Sequence, residues 1–272
     1  MSVRYMSPMN AIKTFRDLLS FLTIIPLGKT EDFVLTSAEY IFLFPVVGAF
    51  IGLLGAAYFS ACGFLVSYLL ALANSVIRIP AGFLLKLVPA VMTLAFLLVL
   101  TGLQHFDGLV DLGNAIGLSG VEERQAAAHA WIVTYKGAFL AISVEFLAFV
   151  GLAFLNATFA FGVIVASEVA AKLAMVTISW VGKPAHRGLG SLFLGNAKRK
   201  RNVAAYFLAV LVVYPLLGLM GVWIILIGVL LGVLMDRVAK SVFGGVSGDM
   251  IGATNEIVRA ATLVFAAGVL LL

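Results

Sequence analysis

The stretch TFAFGVIVASEVAAKLAMVTISWV, residues 158–181, decides the fold class. Glu168 and Lys172 are its only charged residues. A transmembrane helix needs about 20 predominantly apolar residues, so this stretch is long enough to cross a bilayer. Because Glu168 and Lys172 stand four residues apart in the order that favours a helical ion pair, they form either a structural pair or part of a substrate cavity.

The rest of the chain has the same apolar character. Its 272 residues are 62% hydrophobic and 11% charged, and the mean hydropathy of +1.13 excludes an ordinary soluble domain. We predict an all-α, polytopic helical bundle of about seven transmembrane helices (about six to eight), forming one integral-membrane catalytic domain over residues 1–272. The stretch 41–73 is either one tilted or broken helix or two elements. The candidate spans are 41–62 or 41–73, 81–103, 138–155, 158–181, 203–219, 221–236 and 257–272.

The basic residues indicate an orientation. With the N-terminus inside, the connections on the inner side hold most of the 18 Lys and Arg, as the positive-inside rule requires. We therefore expect a multi-pass protein of the cell membrane with a cytoplasmic segment 1–40, no removable signal peptide and an active site that faces the cytoplasm. The lipid bilayer explains the net charge of +5 better than a nucleic acid does, and the small apolar body is compatible with a homodimer.

The first polar motif is TGLQHFDGLVD, residues 101–111. If the second span continues as a helix past Thr101, Asp107 and Asp111 lie one turn apart on one face. Two such carboxylates either end a solvated helix or share a hard cation, and Mg²⁺ characteristically takes one or two carboxylates plus substrate phosphates. His105 would point away from Asp107, as a base, a phosphate contact or a capping group.

The second motif is FGGVSGDMIGATNEI, residues 243–257. Its glycines, Gly245 and Gly248 among them, allow close approach to the backbone of a helix start, where N–H groups can receive a phosphate. Asp249 could share the cation, and Ser247 or Asp249 could instead cap the last span.

The third motif is KPAHRGLGSLFLGNAKRKR, residues 183–201. Lys183 and Arg187, with the flexible Gly188 and Gly190, are candidates for holding an anionic substrate, because Arg can fork onto phosphate oxygens. The run Lys198–Arg201 is most simply a positive-inside anchor. FLTIIP at 21–26 and FPVVGAFIG at 44–52 have no reactive groups and indicate packing.

Taken in order, FLTIIP, FPVVGAFIG, TGLQHFDGLVDL, RGLGSLF and FGGVSGDMIGATNE resemble the cobalamin synthase family, the adenosylcobinamide-GDP ribazoletransferases. Most diagnostic are H-x-D-G-L-x-D, here His105 to Asp111, and the glycine-rich acidic motif at Gly244 to Glu256. Many members carry a third acid at the position of Asn114, which could ligate only through its carbonyl. Many also carry D-S-R-x-G where this chain has Val133 to Gly137.

The resemblance implies a Mg²⁺-dependent transfer in which adenosylcobinamide-GDP and α-ribazole, or its 5′-phosphate, give adenosylcobalamin, or its 5′-phosphate, and GMP. Asp107, Asp111 and Asp249 would hold the metal, and His105 would act as a base or orient a phosphate. The expected substrate contacts are Asn114, Lys183, Arg187, Gly188, Gly190, Gly245, Gly248 and Glu256.

Two other classes of protein share some of these features. A CDP-alcohol phosphotransferase-like phospholipid synthase also uses carboxylates and a metal, but its D-G-x₂-A-R fingerprint requires Ala-Arg where this chain has Asp111-Leu112. A secondary transporter could use Glu145, Glu168 and Lys172, but the sequence lacks the paired repeats of such folds.

Overall fold

The computed structural model describes residues 8–75, 81–128, 130 and 132–271. These residues form α-helices joined by turns and short 3₁₀ segments, with no β-strand among them. The helices are α1 (Pro8–Leu22), α2 (Phe33–Glu39), α3 (Phe44–Asn74), α4 (Ala81–Leu100), α5 (Gln104–Ala115), α6 (Val121–Ala128), α7 (Tyr135–Ala153), α8 (Ala157–Val181), α9 (Leu189–Ala197), α10 (Ala204–Leu217), α11 (Leu219–Phe243) and α12 (Gly248–Leu271).

Within the described residues, seven helices are long and apolar enough to cross a membrane, which confirms the predicted bundle. They are α3, α4, α7, α8, α10, α11 and α12. The ambiguous stretch 41–73 is a single helix, α3, behind a 3₁₀ turn. Two predicted ends were wrong, because α11 continues to Phe243 and α12 already begins at Gly248. Charged residues interrupt the apolar pattern there, although they pair inside the helices.

The five shorter helices collect at one end of the bundle. If each long helix crosses once, the segments before the first crossing, between the second and third, and between the fourth and fifth all lie on the same side. α1 and α2, α5 and α6, and α9 occupy these three segments. The connection between α11 and α12 lies on this side as well, so every polar motif of the sequence is found at one end.

The helix α8 forms the centre of the bundle. It packs on α3, α10, α11 and α12, and most of its side chains are buried. Glycines bring α3 close to it, since a Cβ atom on Gly48 would lie 2.6 Å from the carbonyl oxygen of Glu168. Small residues at such crossings let membrane helices gain van der Waals contact, so α8 is a rigid support for the polar end.

The helix α5 does not continue the second span, although Asp107 and Asp111 still lie four residues apart within it. α4 ends at Leu100, and the chain turns through Gly102 (φ +66°) and Leu103 (φ +59°) before α5 begins. The backbone N–H of Ile24, in the FLTIIP segment, donates to the carbonyl of Leu100 at 2.9 Å and supports this turn. As a result, the H-x-D-G-L-x-D motif stands at the start of a separate helix.

The two glycine-rich motifs pair through their backbones. Val246 N–H donates to the carbonyl of Lys183 at 2.8 Å, and Ala185 N–H donates to the carbonyl of Val246 at 3.1 Å. A Cβ atom on Gly245 would lie 2.7 Å from the nitrogen of Ala185, so only glycine allows this approach. The basic segment before α9 is therefore held against the connection before α12.

Candidate active site

The starts of three helices converge on one cavity of about 160 Å³. The first two residues of α5, of α9 and of α12 all line it. Because first-turn N–H groups have no partner within their own helix and carry the positive end of the helix dipole, this arrangement favours an anion such as a phosphate. The lining residues are Phe21, Phe44, Gln104, His105, Met175, Leu189, Gly190, Phe193, Gly248, Asp249, Ile251 and Gly252.

Close backbone contacts hold these helix starts together. A Cβ atom on Gly108 would lie 2.3 Å from the carbonyl oxygen of Asp249, and one on Gly190 would lie 2.8 Å from the nitrogen of Gly248. In contrast, a Cβ atom on Gly248 would meet nothing within 4 Å, because that position faces open space. Of the glycines predicted to contact substrate, Gly190 and Gly248 line the cavity, Gly245 joins the two loops, and Gly188 is exposed ahead of α9.

Three carboxylates predicted to hold a metal lie on two helices that touch. Asp107 is exposed in the first turn of α5, Asp111 follows one turn later and is half-buried, and Asp249 lines the cavity from the first turn of α12. Within the described residues, no group of three or more His, Cys, Asp or Glu is arranged to hold a metal ion. The carboxylate donors and their exposure suit a hydrated Mg²⁺. Because these acids do not form a ready-made ligand group, the metal site stays a prediction.

His105 is buried and points into the bundle, whereas Asp107 is exposed. Its Nδ1 lies 3.6 Å from Oε1 of Glu256. Burial lowers the pKa of the imidazole below its usual value, although the Glu256 carboxylate acts in the opposite direction. His105 is therefore neutral near pH 7 and lines the cavity as a proton acceptor or hydrogen-bond partner.

Glu256 lies inside the bundle, and its contact with substrate stays a prediction that this position does not favour. It is 1% exposed and is absent from the lining of the cavity. Its Oε2 accepts from Arg259, and its Oε1 accepts from Asn255 Nδ2 at 3.0 Å. These bonds hold Glu256 beside His105, whose Nδ1 is buried without a hydrogen-bond partner among the described residues.

Glu256 belongs to a closed set of contacts that we call the buried ring: Glu168, Lys172, Asn255, Glu256 and Arg259. Lys172 Nζ donates to Glu168 Oε2 at 3.2 Å and to Asn255 Oδ1 at 2.7 Å. Arg259 donates to both Glu168 and Glu256 and so closes the ring. Two acids and two bases give it no formal charge, which is the condition for burying ions in a membrane bundle. Glu168 and Lys172 thus form the structural pair predicted from their spacing.

Glu145 on α7 is a buried acid within a membrane-spanning helix. Both of its carboxylate oxygens are buried without a hydrogen-bond partner among the described residues, and so is one guanidinium nitrogen of Arg259. Glu145 is within electrostatic range of Glu256 and Arg259, so it adds a third carboxyl beside the buried ring.

Asn114 has a structural role that the sequence did not predict. Its Nδ2 donates to the carbonyl of Ile132 at 2.7 Å, and its Oδ1 accepts from the backbone N–H and the hydroxyl of Thr134 at 3.0 and 2.7 Å. A Cβ atom on Gly137 would lie 2.2 Å from the same oxygen. The buried amide therefore ties α5 to the start of α7 and leaves its oxygen engaged, which does not favour its predicted contact with substrate or metal.

The basic segment divides into two parts. Lys183 and Arg187 are exposed on the loop that leads into α9, where they can contact an anion outside the cavity. Lys198, predicted to be an anchor, instead donates to the carbonyls of Trp180 and Gly182 at the end of α8. Arg199 and Arg201 both pair with Glu39. The run therefore connects α8 and α9 to α2 rather than only marking the inner side.

The chain is similar to known proteins over most of its length. Residues 14–267 match the family model described as cobalamin-5-phosphate synthase. A protein of Halorubrum lacusprofundi named adenosylcobinamide-GDP ribazoletransferase is 32% identical over 270 residues, which cover 93% of this chain and 95% of the relative. Proteins with the same name from Methanocella arvoryzae and Thermococcus onnurineus are 29% and 32% identical, covering 93% of this chain and 95% and 96% of the relatives. No solved structure shows a significant match.

Proposed function

Because the chain belongs to the cobalamin-5-phosphate synthase family, we propose that its cavity joins adenosylcobinamide-GDP to α-ribazole, or to α-ribazole 5′-phosphate. The protein is a membrane-embedded transferase of cobalamin synthesis. One observation supports this cavity as the location of the reaction: three helix starts, His105 and Asp249 line it. Such a site binds a diphosphate and places a proton acceptor beside it.

In the proposed reaction, a ribose hydroxyl of α-ribazole attacks the phosphorus that carries cobinamide. A new phosphorus–oxygen bond forms, the bond to the bridging oxygen of the diphosphate breaks, and GMP leaves with that oxygen. The N–H groups at the starts of α5, α9 and α12 would hold the diphosphate. His105, which is neutral and faces the cavity, would accept the proton of the attacking hydroxyl or orient a phosphate.

The carboxylates have a separate role in this proposal. Asp107, Asp111 and Asp249 would hold Mg²⁺, which supplies positive charge next to the leaving phosphate. The exposed Lys183 and Arg187, on the loop leading into α9, would contact the GDP moiety. The buried ring takes no part in binding in this proposal, and it holds the Glu256 carboxylate 3.6 Å from His105 Nδ1.

The same proposal places the cavity on the cytoplasmic face of the cell membrane. The connections at this end carry most of the Lys and Arg, and the N-terminal segment lies at the same end. A topology reporter fused after Lys198 should therefore read as cytoplasmic. An external signal would contradict the orientation but not the chemistry.

The direct experiment reconstitutes the purified protein in lipid with adenosylcobinamide-GDP, α-ribazole and Mg²⁺ and follows the release of GMP. We expect GMP and the corrinoid product in equal amounts, and loss of both when the metal is chelated. Asp107→Asn should abolish turnover without loss of folding, because it removes charge and keeps volume. Glu122→Gln, at an exposed acid of α6, is the matched control and should retain turnover. No GMP from folded protein, with or without oxygen, would refute the proposed function.

A further inference from the structure

The helix α4 carries one charged residue, and that residue lies within a membrane span. Lys86 belongs to the span Gly82–Leu100 and is exposed on the surface of the bundle. Its Nζ lies 5.8 Å from the centre of the Phe154 ring, and it forms no ion pair with any residue that the structure describes. A charge inside a span is costly unless it meets an opposite charge or reaches the headgroups. Lys86 therefore requires an anionic partner.

Lys86 lies at the end of the bundle opposite the active site, where no acidic side chain is found. The sequence contains no Asp or Glu in residues 40–106, 146–167, 173–235 and 257–272, which together supply the whole of this end. A second copy of the chain in the same orientation would present the same residues and add no acid. Lys86 follows the first residue of α4 by about 8 Å along the helix axis, so its long side chain can reach the headgroup level. The anions that a membrane supplies there are the phosphates of its lipids.

Two grooves lie on either side of Lys86. The larger groove, of about 730 Å³, is bounded by α3, α4, α7, α8 and α12, and the smaller groove, of about 380 Å³, lies between the start of α4 and the end of α7. Gly82, Lys86, Ala153 and Phe154 line both grooves. Sites for small molecules measure about 300–1,000 Å³, so each groove has room for an apolar chain.

The geometry of α4 explains why there are two grooves. Gly82 and Lys86 stand one turn apart and form a ridge along the helix. Leu85, on one side of this ridge, lines only the larger groove, and Leu87, on the other side, lines only the smaller groove. One positive charge between two apolar grooves matches the plan of a phospholipid, which has one phosphate and two acyl chains.

The grooves contain few polar side chains. Lys86 is the only one in the smaller groove, and the larger groove adds Ser60 and Asn156. Asn156 Oδ1 accepts the backbone N–H of Thr158 at 3.0 Å, which leaves the amide nitrogen of Asn156 as a donor. A ligand of these grooves is therefore mainly apolar and has an anionic, hydrogen-bond-accepting group at Lys86.

We propose that Lys86 and the two grooves bind one phospholipid in the leaflet opposite the active site, with its phosphate at Lys86 and one acyl chain in each groove. The site prefers a headgroup of net negative charge, because the ammonium of a zwitterionic headgroup meets no acidic side chain at this end. This lipid site is separate from the transfer reaction and is tested without turnover.

The first test measures which lipid the protein retains. Protein reconstituted in vesicles of equal phosphatidylglycerol and phosphatidylcholine, with identical acyl chains, is extracted in mild detergent, and the lipids that copurify are quantified by mass spectrometry. Because one basic residue changes the affinity for an anionic lipid by about 5-fold, wild-type protein should retain phosphatidylglycerol about 5-fold over phosphatidylcholine. Lys86→Gln should abolish this preference. Lys29→Gln, which removes an exposed lysine beside the Phe33 ring at the active-site end, is the matched control and should keep it.

A second variant blocks the grooves and keeps the charge. A Cβ atom on Gly82 meets nothing within 4 Å, so Gly82→Leu fits the fold and fills space that both grooves share. It should retain less phosphatidylglycerol than wild-type protein. Gly268→Leu is the matched control, because Gly268 is an equally open glycine near the end of α12 that lines neither groove. Thermal unfolding in detergent shows whether each variant is folded.

The outcomes decide the proposal directly. Equal retention of the two lipids by wild-type protein would refute it. Retention of phosphatidylglycerol at the wild-type level by either folded Lys86→Gln or folded Gly82→Leu would place the lipid elsewhere and refute it as well. Loss of the preference in Lys29→Gln would show a general effect of charge and also overturn the inference. None of these results depends on GMP release, so the lipid site and the proposed function fail separately.

Discussion

The contact between Gly108 and Asp249 gives the sharpest quantitative prediction. A Cβ atom at position 108 would lie 2.3 Å from the carbonyl oxygen of Asp249, whereas ordinary contact begins at 3.4 Å. In Gly108→Ala the starts of α5 and α12 must therefore separate by about 1 Å. A misplacement of about 1 Å in a reacting constellation can cost about 100-fold in rate, so we expect kcat to fall by about that factor.

The assay is GMP release under saturating substrates, with thermal unfolding in detergent as the measure of folding. Alanine is a better helix former than glycine by about 1 kcal/mol, so the variant should remain folded. Gly268→Ala on α12 is the matched control, because a Cβ atom there meets nothing within 4 Å. A folded Gly108→Ala protein with wild-type kcat would show that the spacing of these two helix starts does not matter for catalysis.

Four further results are expected. Arg259→Met leaves Glu168 and Glu256 buried without their shared partner, so it should lower the free energy of unfolding by about 3–5 kcal/mol. The variant should unfold at a lower temperature in detergent, and an unchanged unfolding temperature would contradict the buried ring. Glu145→Leu replaces a buried carboxyl that has no hydrogen-bond partner among the described residues by an apolar side chain and should raise stability by about 1 kcal/mol. A loss of stability would show that the acid is satisfied in the membrane. Asn114→Asp introduces the third acid of many family members but removes the donor to the Ile132 carbonyl, so stability should fall by about 1–3 kcal/mol. The Mg²⁺ concentration needed for turnover should not change, and a lower requirement would make position 114 a metal ligand. Gly248→Val should fill the cavity and stop turnover, measured as GMP release.

Hydropathy predicted the number of crossings because apolar periodicity is a local property of the chain. It missed the ends of α11 and α12 because Asp236 and Glu256 carry charge yet pair within their own helices at Lys240 and Arg259. The sequence left open the turn that separates α4 from α5. It depends on a left-handed Leu103, a conformation that no sequence pattern favours for leucine.

The candidate site was predictable in its acids and glycines but not in its supports. The spacing of Asp107 and Asp111 and the glycines before Asp249 are local signals. In contrast, Lys172 meets Asn255 across 83 positions, and Arg259 meets Glu168 across 91. The phenylalanines that line the cavity were not predictable for a related reason: the chain has 21 phenylalanines, and only the fold determines which of them lie at the cavity.

The central claim is that the cavity at the starts of α5, α9 and α12 is where the transfer occurs. Gly248 lines this cavity, and a Cβ atom there meets nothing within 4 Å, so a valine fits the fold but occupies the space meant for substrate. The most direct measurement is GMP release by lipid-reconstituted Gly248→Val beside the control Gly268→Val. We predict a folded protein with no detectable GMP release and a control with wild-type release. GMP release at the wild-type rate from folded Gly248→Val would contradict the assignment of the reaction to this cavity.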